Sequence, residues 1–284
     1  MKRERSSRVY ETPRPFLKWV GGKRQLLPEL LERVEEAGKF GRYHEPFVGG
    51  GALFFALYRN KMLDRKKAYL SDNNLHLIEA YQGVKDHVED VIELLKEHKA
   101  NHERDYFYQI RATIPPTLPE RAARIIYLNK TCFNGLYREN SKGQFNAPMG
   151  SYKNPGICDE ENLRAVAEAL KSVRIKQQHF ENVMEDALRG DFVYFDPPYQ
   201  PVSKTASFTG YHKGSFGEDS QRLLAMVFED LRQKDVKALL SNSKTPLVEQ
   251  LYKGFTIETV FATRLVNSRA DRRGEVSEVL VRNY

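Results

Sequence analysis

The run Phe192-Val193-Tyr194-Phe195-Asp196-Pro197-Pro198-Tyr199 limits the fold more than any other stretch of the chain. Four consecutive β-formers without polar alternation suit a strand buried on both faces, as in a parallel sheet. Pro197 and Pro198 then stop it, because neither can donate a ladder hydrogen bond and both hold φ near about −65°. Pro197 also turns Asp196 away from helical geometry. The stretch therefore predicts a rigid, extended stub at the carboxyl end of a strand, the edge of an open α/β sheet where ligands bind. A plain structural turn accounts for the same residues, so the surroundings have to separate the two.

Those surroundings alternate strand and helix. "FLKWVGGKRQLLPELLERVEEA" gives a short apolar lead, a Gly-Gly turn and an amphipathic helix from about Arg24. "YHEPFVGGGALFFALYRN" is strand, ending at Val48, then glycine loop, then helix, and "KKAYLSDNN" is a second strand ending at Asp72. Residues 75–100 have a helical pattern, as do 101–132 apart from the break "IPPTLPE". Residues 133–156 turn to Asn, Gly, Pro, aromatic and basic residues with little periodicity. A helix at about 159–171 follows, and the remainder alternates again through "VRIKQQHF", "FVYFDPP", a helix near 218–233, "VKALLSNS", a helix near 246–253, "TIETVFATRLV" and "SEVLVRNY". Such alternation predicts an α/β, doubly wound, mostly parallel sheet. The change of character at 76–156 marks an inserted, largely helical second domain, with 1–75 and 157–284 forming the sheet domain.

With 284 residues, 40% of them hydrophobic, the chain can build one large core plus an insert. Its net charge of +7 favours a polyanionic partner. Cys132 and Cys158 have no metal-ligand spacing and suit free thiols in a reducing compartment; no metal site is expected. No apolar segment has the length to span a membrane, and "MKRERSSRVYETPRPF" lacks the apolar region of a signal peptide. A cytoplasmic protein with no obligatory protein partner follows as the expectation, its first fourteen residues basic, polar and mobile.

Four further constellations carry chemistry. Gly49-Gly50-Gly51 between a strand and a helix allows close approach of a ligand to the backbone, or simply makes a tight turn. Asp72, ending the next strand, is placed to accept hydrogen bonds from a ribose, or to cap the helix after it. Together they point to an adenosine-containing cofactor, and the lack of a phosphate-binding P-loop favours a nucleoside without pyrophosphate. "KWVGGK" sets Lys18, Trp19 and Lys23 around a Gly-Gly turn, although a lone tryptophan is also ordinary core packing. The 133–156 loop mixes Phe133, Asn134, Leu136, Tyr137, Arg138, Lys142, Tyr152 and Lys153, a set suited to phosphates, guanine edges and wedging between bases, or to a solvated surface. At Asp196-Pro197-Pro198-Tyr199, a fixed carboxylate and a fixed backbone carbonyl can each accept one hydrogen of an exocyclic amino group. That draws the nitrogen toward tetrahedral geometry and frees its lone pair, while the tyrosine stacks on the base; acceptors fixed in advance act where charge develops.

These motifs, in order, closely resemble the Dam-type DNA adenine-N6 methyltransferases of the D12 class, or α-group. The resemblance runs through "FLKWVGGK", "EPFVGGGA", "LSDNN", "YLNKTCFNGLYRENSKGQFNAPMGSYKNP", "DPPYQPVSKTASFTGYHKGSF" and "LLSNS". It implies a Rossmann-like methyltransferase sheet with the insert as target-recognition domain, S-adenosyl-L-methionine as cofactor, and double-stranded DNA, methylated within GATC, as partner. It implies cofactor contacts from Trp19, Lys23, Glu45, Pro46, Phe47, Gly49, Gly51, Asp72 and Phe180, and places Asp196 between the methionyl amine and the target base, with Pro197, Pro198 and Tyr199 completing the pocket. Lys18, Asn134, Leu136 and Arg138 would read the site, Phe133 would intercalate where the family often has Tyr, and Pro148 matches the proline of "FNxP". A basic segment near the C-terminus, "NSRADRRGE", matches a mobile loop of the family.

The base pocket suits any exocyclic amino group, and only the resemblance picks adenine over cytosine. Methylation of RNA is the rival enzyme reading; the arginine of "NGLYR" opposes it, since the deep, narrow A-form major groove is closed to such a side chain. A catalytically silent DNA-binding protein is the other rival, opposed by the intact Asp196-Pro-Pro-Tyr199 and the glycine loop.

Overall fold

The computed structural model describes residues 12–19, 21, 23, 25–63, 67–199, 216–263 and 275–284. In chain order, α1 (Leu27–Glu36), β1 (Tyr43–Glu45), α2 (Ala52–Arg59) and β2 (Ala68–Asp72) come first. A helical stretch follows: α3 (Leu75–Asp86), α4 (Val88–Ala100), α5 (Arg104–Ala112), α6 (Leu118–Thr131) and α7 (Glu160–Leu170). The chain then alternates through β3 (Arg174–Gln177), α8 (Val183–Asp186), β4 (Phe192–Phe195), α9 (Glu218–Gln233), β5 (Lys237–Ser243), α10 (Pro246–Leu251), β6 (Thr256–Thr263) and β7 (Glu275–Arg282).

Two compact units result. One joins Met1–Val20 to His76–Ser172, and the other joins Gly21–Leu75 to Val173–Tyr284. The division near residue 75 coincides with the end of the first sheet segment, but the second division lies one helix beyond 156. The reason is packing: α7 rests on α4, and Arg164 of α7 grips both carboxylate oxygens of Glu89 at 2.8 Å. The amino-terminal segment joins the helical unit through Phe16, whose ring meets Tyr81 edge-on at 4.9 Å, and through Lys18, described below. The stretch expected to form one helix over 75–100 is two, because His87, at φ −139°, leaves the helical region between α3 and α4. The helix expected from about Arg24 begins at Leu27, with a proline in its first turn.

The sheet unit is a single seven-stranded sheet in the order β3-β2-β1-β4-β5-β7-β6. The first five strands in that order run parallel, and β7 is antiparallel to both β5 and β6. All four residues of β4 are buried, as the unbroken apolar run predicts. From β1 the chain winds outward to β2 and β3, then returns to lay β4 on the other side of β1. The carboxyl ends of β1 and β4 therefore flank the switch point of the sheet, the place where open α/β sheets bind ligands. The strand expected to reach Val48 stops at Glu45, since Pro46 has no N–H with which to continue the ladder. No helix among the described residues is long and apolar enough to cross a membrane. The first eleven residues and the segment 267–274, on which the amino-terminal and basic-loop expectations fall, lie outside the described residues.

Candidate active site and recognition loop

Asp196 leaves β4 at the switch point and is met from two sides. Lys23 Nζ lies 2.8 Å from Asp196 Oδ1 and also donates to the Gly21 carbonyl at 2.8 Å. Ser241 Oγ, from the neighbouring β5, donates to the same Oδ1 at 3.0 Å. With its one hydrogen committed there, Ser241 accepts from the Tyr194 hydroxyl at 2.9 Å, so the three residues form a directed chain, Tyr194 to Ser241 to Asp196. Burial pushes the Asp196 carboxyl above the usual carboxylate range, although Lys23 and Ser241 oppose the shift.

Tyr199 stands beside this pair. Its ring lies under Lys23 Nζ, 4.4 Å from the centroid, and its hydroxyl donates to Glu278 Oε2 of β7 at 2.6 Å. Pro197 is buried, whereas Pro198 is exposed at the surface with its carbonyl accepting from Gln221 Nε2 at 3.1 Å. Lys23, distant in sequence, thus joins Asp196 and Tyr199 in one cluster.

The carboxyl end of β1 adds a second acid. Glu45 is buried and accepts from Tyr43 Oη at 2.7 Å. Burial pushes its carboxyl up to about 8; the Tyr43 hydroxyl and the Phe54 backbone N–H oppose this, and the nearby Asp196 charge adds to it. Pro46 is buried after it. The glycine loop then turns into α2 through Gly51, whose φ of 67° and ψ of 30° lie in the left-handed region that disfavours a side chain. Asp72 ties this loop to β2: its Oδ2 accepts the Gly49 N–H at 3.2 Å and its Oδ1 the Asn74 N–H at 3.0 Å. The bond to Asn74 makes an Asx turn ahead of α3, whose N-cap position is Asn74 and not Asp72, and the same carboxylate also fastens the glycine loop. Burial raises the Asp72 carboxyl, and the amides of Asn74, Gly49 and Asn73 oppose it. Phe47 and Phe180 stack at 5.3 Å, with Phe216 edge-on to Phe47 at 5.5 Å. Phe180 is sealed in the core around α9, while Phe47 packs against that core from outside.

The helical unit presents the other candidates on a frame of its own. Asn129, fully buried in α6, accepts the Lys18 N–H and donates to the Lys18 carbonyl, both at 2.7 Å, and donates to the Gly135 carbonyl at 3.2 Å. Gly135 has φ 66°, and a Cβ there would sit 2.8 Å from Lys18 Cβ. Only glycine lets the two segments meet so closely. Asn134, also left-handed at φ 55°, precedes it. Lys18 Nζ lies over the Tyr152 ring at 4.4 Å, and Trp19 packs on Tyr137 at 5.2 Å. Phe133 N–H donates to the Pro148 carbonyl, and isolated bridges pair Cys132 with Met149 and Glu139 with Phe145. The loop of little periodicity is thus a tied hairpin. From it Phe133 is 51% exposed and Leu136 37%. Arg138, also exposed, donates through Nε and Nη2 to Asn146 Oδ1 and O, at 2.7 and 3.3 Å.

An Asp-Pro-Pro-Tyr stub at the switch point and a separate polar hairpin are the arrangement that the motifs anticipated. Residues 19–265 match the family described as D12 class N6 adenine-specific DNA methyltransferase. The chain belongs to that family. It is 44% identical over 279 residues to the Type II methyltransferase M1.LlaDCHI of Lactococcus lactis subsp. cremoris, covering 95% of each chain. Identity is 41% over 288 residues to the Type II methyltransferase M.MjaIII of Methanocaldococcus jannaschii, covering 95% of this chain and 99% of that one. It is 32% over 271 residues to the DNA adenine methylase of Escherichia coli (strain K12), covering 94% of each.

As a D12-class enzyme the chain methylates the N6 amino group of adenine in DNA, which requires a methyl donor. Several polar residues, of the candidate active site and separately of the hairpin's frame, escape a reading of motifs. Ser241 lies within "LLSNS", but its role follows from the pairing of β4 with β5, which sets Phe195 opposite Leu240. Gln221 carried one unread signal, a polar residue on the apolar face of α9 with Leu224, Ala225 and Phe228. Glu278 and Asn129 had none.

Proposed function

We propose that the enzyme transfers a methyl group from S-adenosyl-L-methionine to adenine within GATC in double-stranded DNA, after the base has swung out of the helix to reach Asp196. The observation that carries this reading is Asp196 at the end of β4, fixed by Ser241 and Lys23 with Tyr199 alongside. An adenine inside a duplex cannot present its amino group to such a site, which is why extrusion is needed. Asp196 accepts one amino hydrogen and a carbonyl of the proline turn accepts the other. The upward shift of the Asp196 carboxyl suits a group that draws a proton from nitrogen as the new N–C bond forms. Tyr199 offers its ring to the base.

The residues present fit the donor. Glu45, Asp72 and Asp196 are acids at the ends of three parallel strands, which suits a cationic amino acid joined to a ribose. The glycine loop has its Gly49 N–H bound to Asp72, so it is not arranged as a phosphate cradle. S-adenosyl-L-methionine supplies a methyl group on a sulfonium, a good leaving group. Asp72 would hold the ribose hydroxyls, with Glu45, Pro46, Phe47, Gly49, Gly51, Trp19, Lys23 and Phe180 as the remaining proposed contacts.

Site reading falls to the hairpin of the helical unit. Arg138 has five N–H donors, of which Asn146 engages two, leaving a guanidinium able to bind guanine O6 and N7. Lys18, Asn134 and Leu136 complete the proposed readout; Phe133, backed by Pro148, fills the space that the base leaves. The test is sequencing that maps modified adenine in DNA from cells expressing the chain, with mass spectrometry of the digest. N6-methyladenine confined to GATC is expected, and main product elsewhere removes the assignment of the site. Arg138→Ala is expected to lose about 10- to 100-fold in discrimination against sites altered at one guanine pair. Lys142→Ala should instead weaken binding to all sequences alike and lower its salt dependence. A uniform loss of rate in Arg138→Ala would make that residue a phosphate clamp.

A further inference from the structure

Gln221 is fully buried on the apolar face of α9, where an unpaired amide would cost stability. Both of its ends are used. Nε2 donates to the Pro198 carbonyl at 3.1 Å, and Oε1 accepts from Asn242 Nδ2 at 3.0 Å. Asn242, also fully buried, accepts the backbone N–H of Ser243 on its Oδ1 at 2.8 Å. The direction of this relay is forced from both ends. A backbone N–H can only donate, so Asn242 must turn its oxygen to Ser243 and its nitrogen to Gln221. Gln221 must then turn its oxygen to Asn242 and its nitrogen to Pro198, whose carbonyl can only accept. Reversing either amide would set donor against donor, or acceptor against acceptor, in a buried site.

The Pro198 carbonyl shares a peptide plane with the Tyr199 nitrogen and Cα. Holding that oxygen fixes the plane from which Tyr199 projects, while Glu278 holds the Tyr199 hydroxyl. We propose that Gln221 is a positioning residue for the base pocket: through the relay to Asn242 and Ser243 it sets the Pro198–Tyr199 peptide and so orients the Tyr199 ring. The proposal rests on the Asp196 pocket binding the base.

The test uses the full-length enzyme. Gln221→Glu keeps the shape and the acceptor toward Asn242 but sets a carboxylate oxygen against the Pro198 carbonyl. At neutral pH its kcat should fall about 10- to 100-fold, the scale of a misplaced reacting group, with cofactor affinity unchanged by calorimetry. The deficit should narrow as pH falls, because a protonated carboxyl again donates. Gln221→Met removes both hydrogen bonds without a buried charge and should lose kcat without that pH trend. Asn242→Asp breaks the relay from its far end, and combining it with Gln221→Met should cost no more than the worse single change. Wild-type kcat in Gln221→Met, or a loss confined to cofactor affinity, overturns the proposal while leaving the pocket reading intact if Asp196→Ala is inactive. Normal turnover in Asp196→Ala overturns the pocket reading and the positioning role with it.

Discussion

The two ends of β4 carry acids that the fold treats in opposite ways. At the amino end Asp191 is almost wholly enclosed by donors: Arg42 through its backbone N–H at 3.0 Å and its Nε at 2.8 Å, His44 Nε2 at 3.0 Å, and the Leu188 N–H at 2.9 Å. Burial raises its carboxyl, but the bonds from His44, Arg42 and Leu188 outweigh that and hold it down at about 2. At the carboxyl end Asp196 has, among the described residues, one ammonium and one hydroxyl, both on the same oxygen, and burial keeps it above the usual range. One acid is saturated with partners and locks strands together. The other is fixed in place but left short of donors, which is the condition for accepting a hydrogen from something else.

The sharpest way to break this comparison is to remove the saturated acid. Asp191→Ala strands Arg42 beside a buried His44 and should cost about 3–5 kcal/mol of stability, the usual result of breaking a buried pair. Activity per folded molecule should be retained; denaturant titration with an active-fraction assay measures both. Asp196→Ala should do the reverse, losing about 100- to 1000-fold or more in methylation while the melting temperature moves little. Near-normal turnover in that variant would make the two ends equivalent.

Acidity separates the ends more finely. Asp191 contributes stability above its ordinary value of 3.8 that is lost as pH falls through about 2. Glu45, beside Asp196, behaves oppositely: the folded chain keeps its proton up to about 8 against an ordinary 4.5, so its contribution declines as pH rises across that window. Between about pH 5.5 and 7.5 the wild type should lose on the order of 1–2 kcal/mol more stability than Glu45→Gln. Calorimetric melting of both proteins across that range checks it, and parallel curves would mean that Glu45 ionises freely.

The parts of this molecule legible in its sequence are those set by neighbouring residues. Four apolar residues, an acid and two prolines define a buried strand and a rigid stub without reference to anything distant. The glycine loop and the acid after β2 were legible for the same reason, although the bonding of Asp72 to Gly49 was not. Ser241, Gln221 and Glu278 owe their roles to strand pairing and helix docking, which bring together residues whose own surroundings carry no mark of it. Helix α7 looked like part of the sheet unit because it directly precedes β3, and only its packing on α4 assigns it elsewhere. Phe180, which the resemblance alone implies as a cofactor contact, is buried in the core around α9, and nothing in its immediate sequence marks that burial.

The helical unit is spliced between β2 and β3, which pair directly, Asp72 opposite Gln177. That arrangement bears on the order of events when the chain folds. Parallel pairing across so long an excursion is slow, because loop-closure entropy must be lost before any contact repays it. Helices α4, α6 and α7 pack on one another, and those contacts need no strand. Once they have collapsed, the ends of β2 and β3 are joined by a compact body in place of a long free coil, and the remaining search is short. The segment proposed above to read DNA would then serve first as a folded spacer while β2 and β3 find each other, so that mutations inside α4, α6 or α7 slow refolding while mutations along β2 and β3 chiefly hasten unfolding.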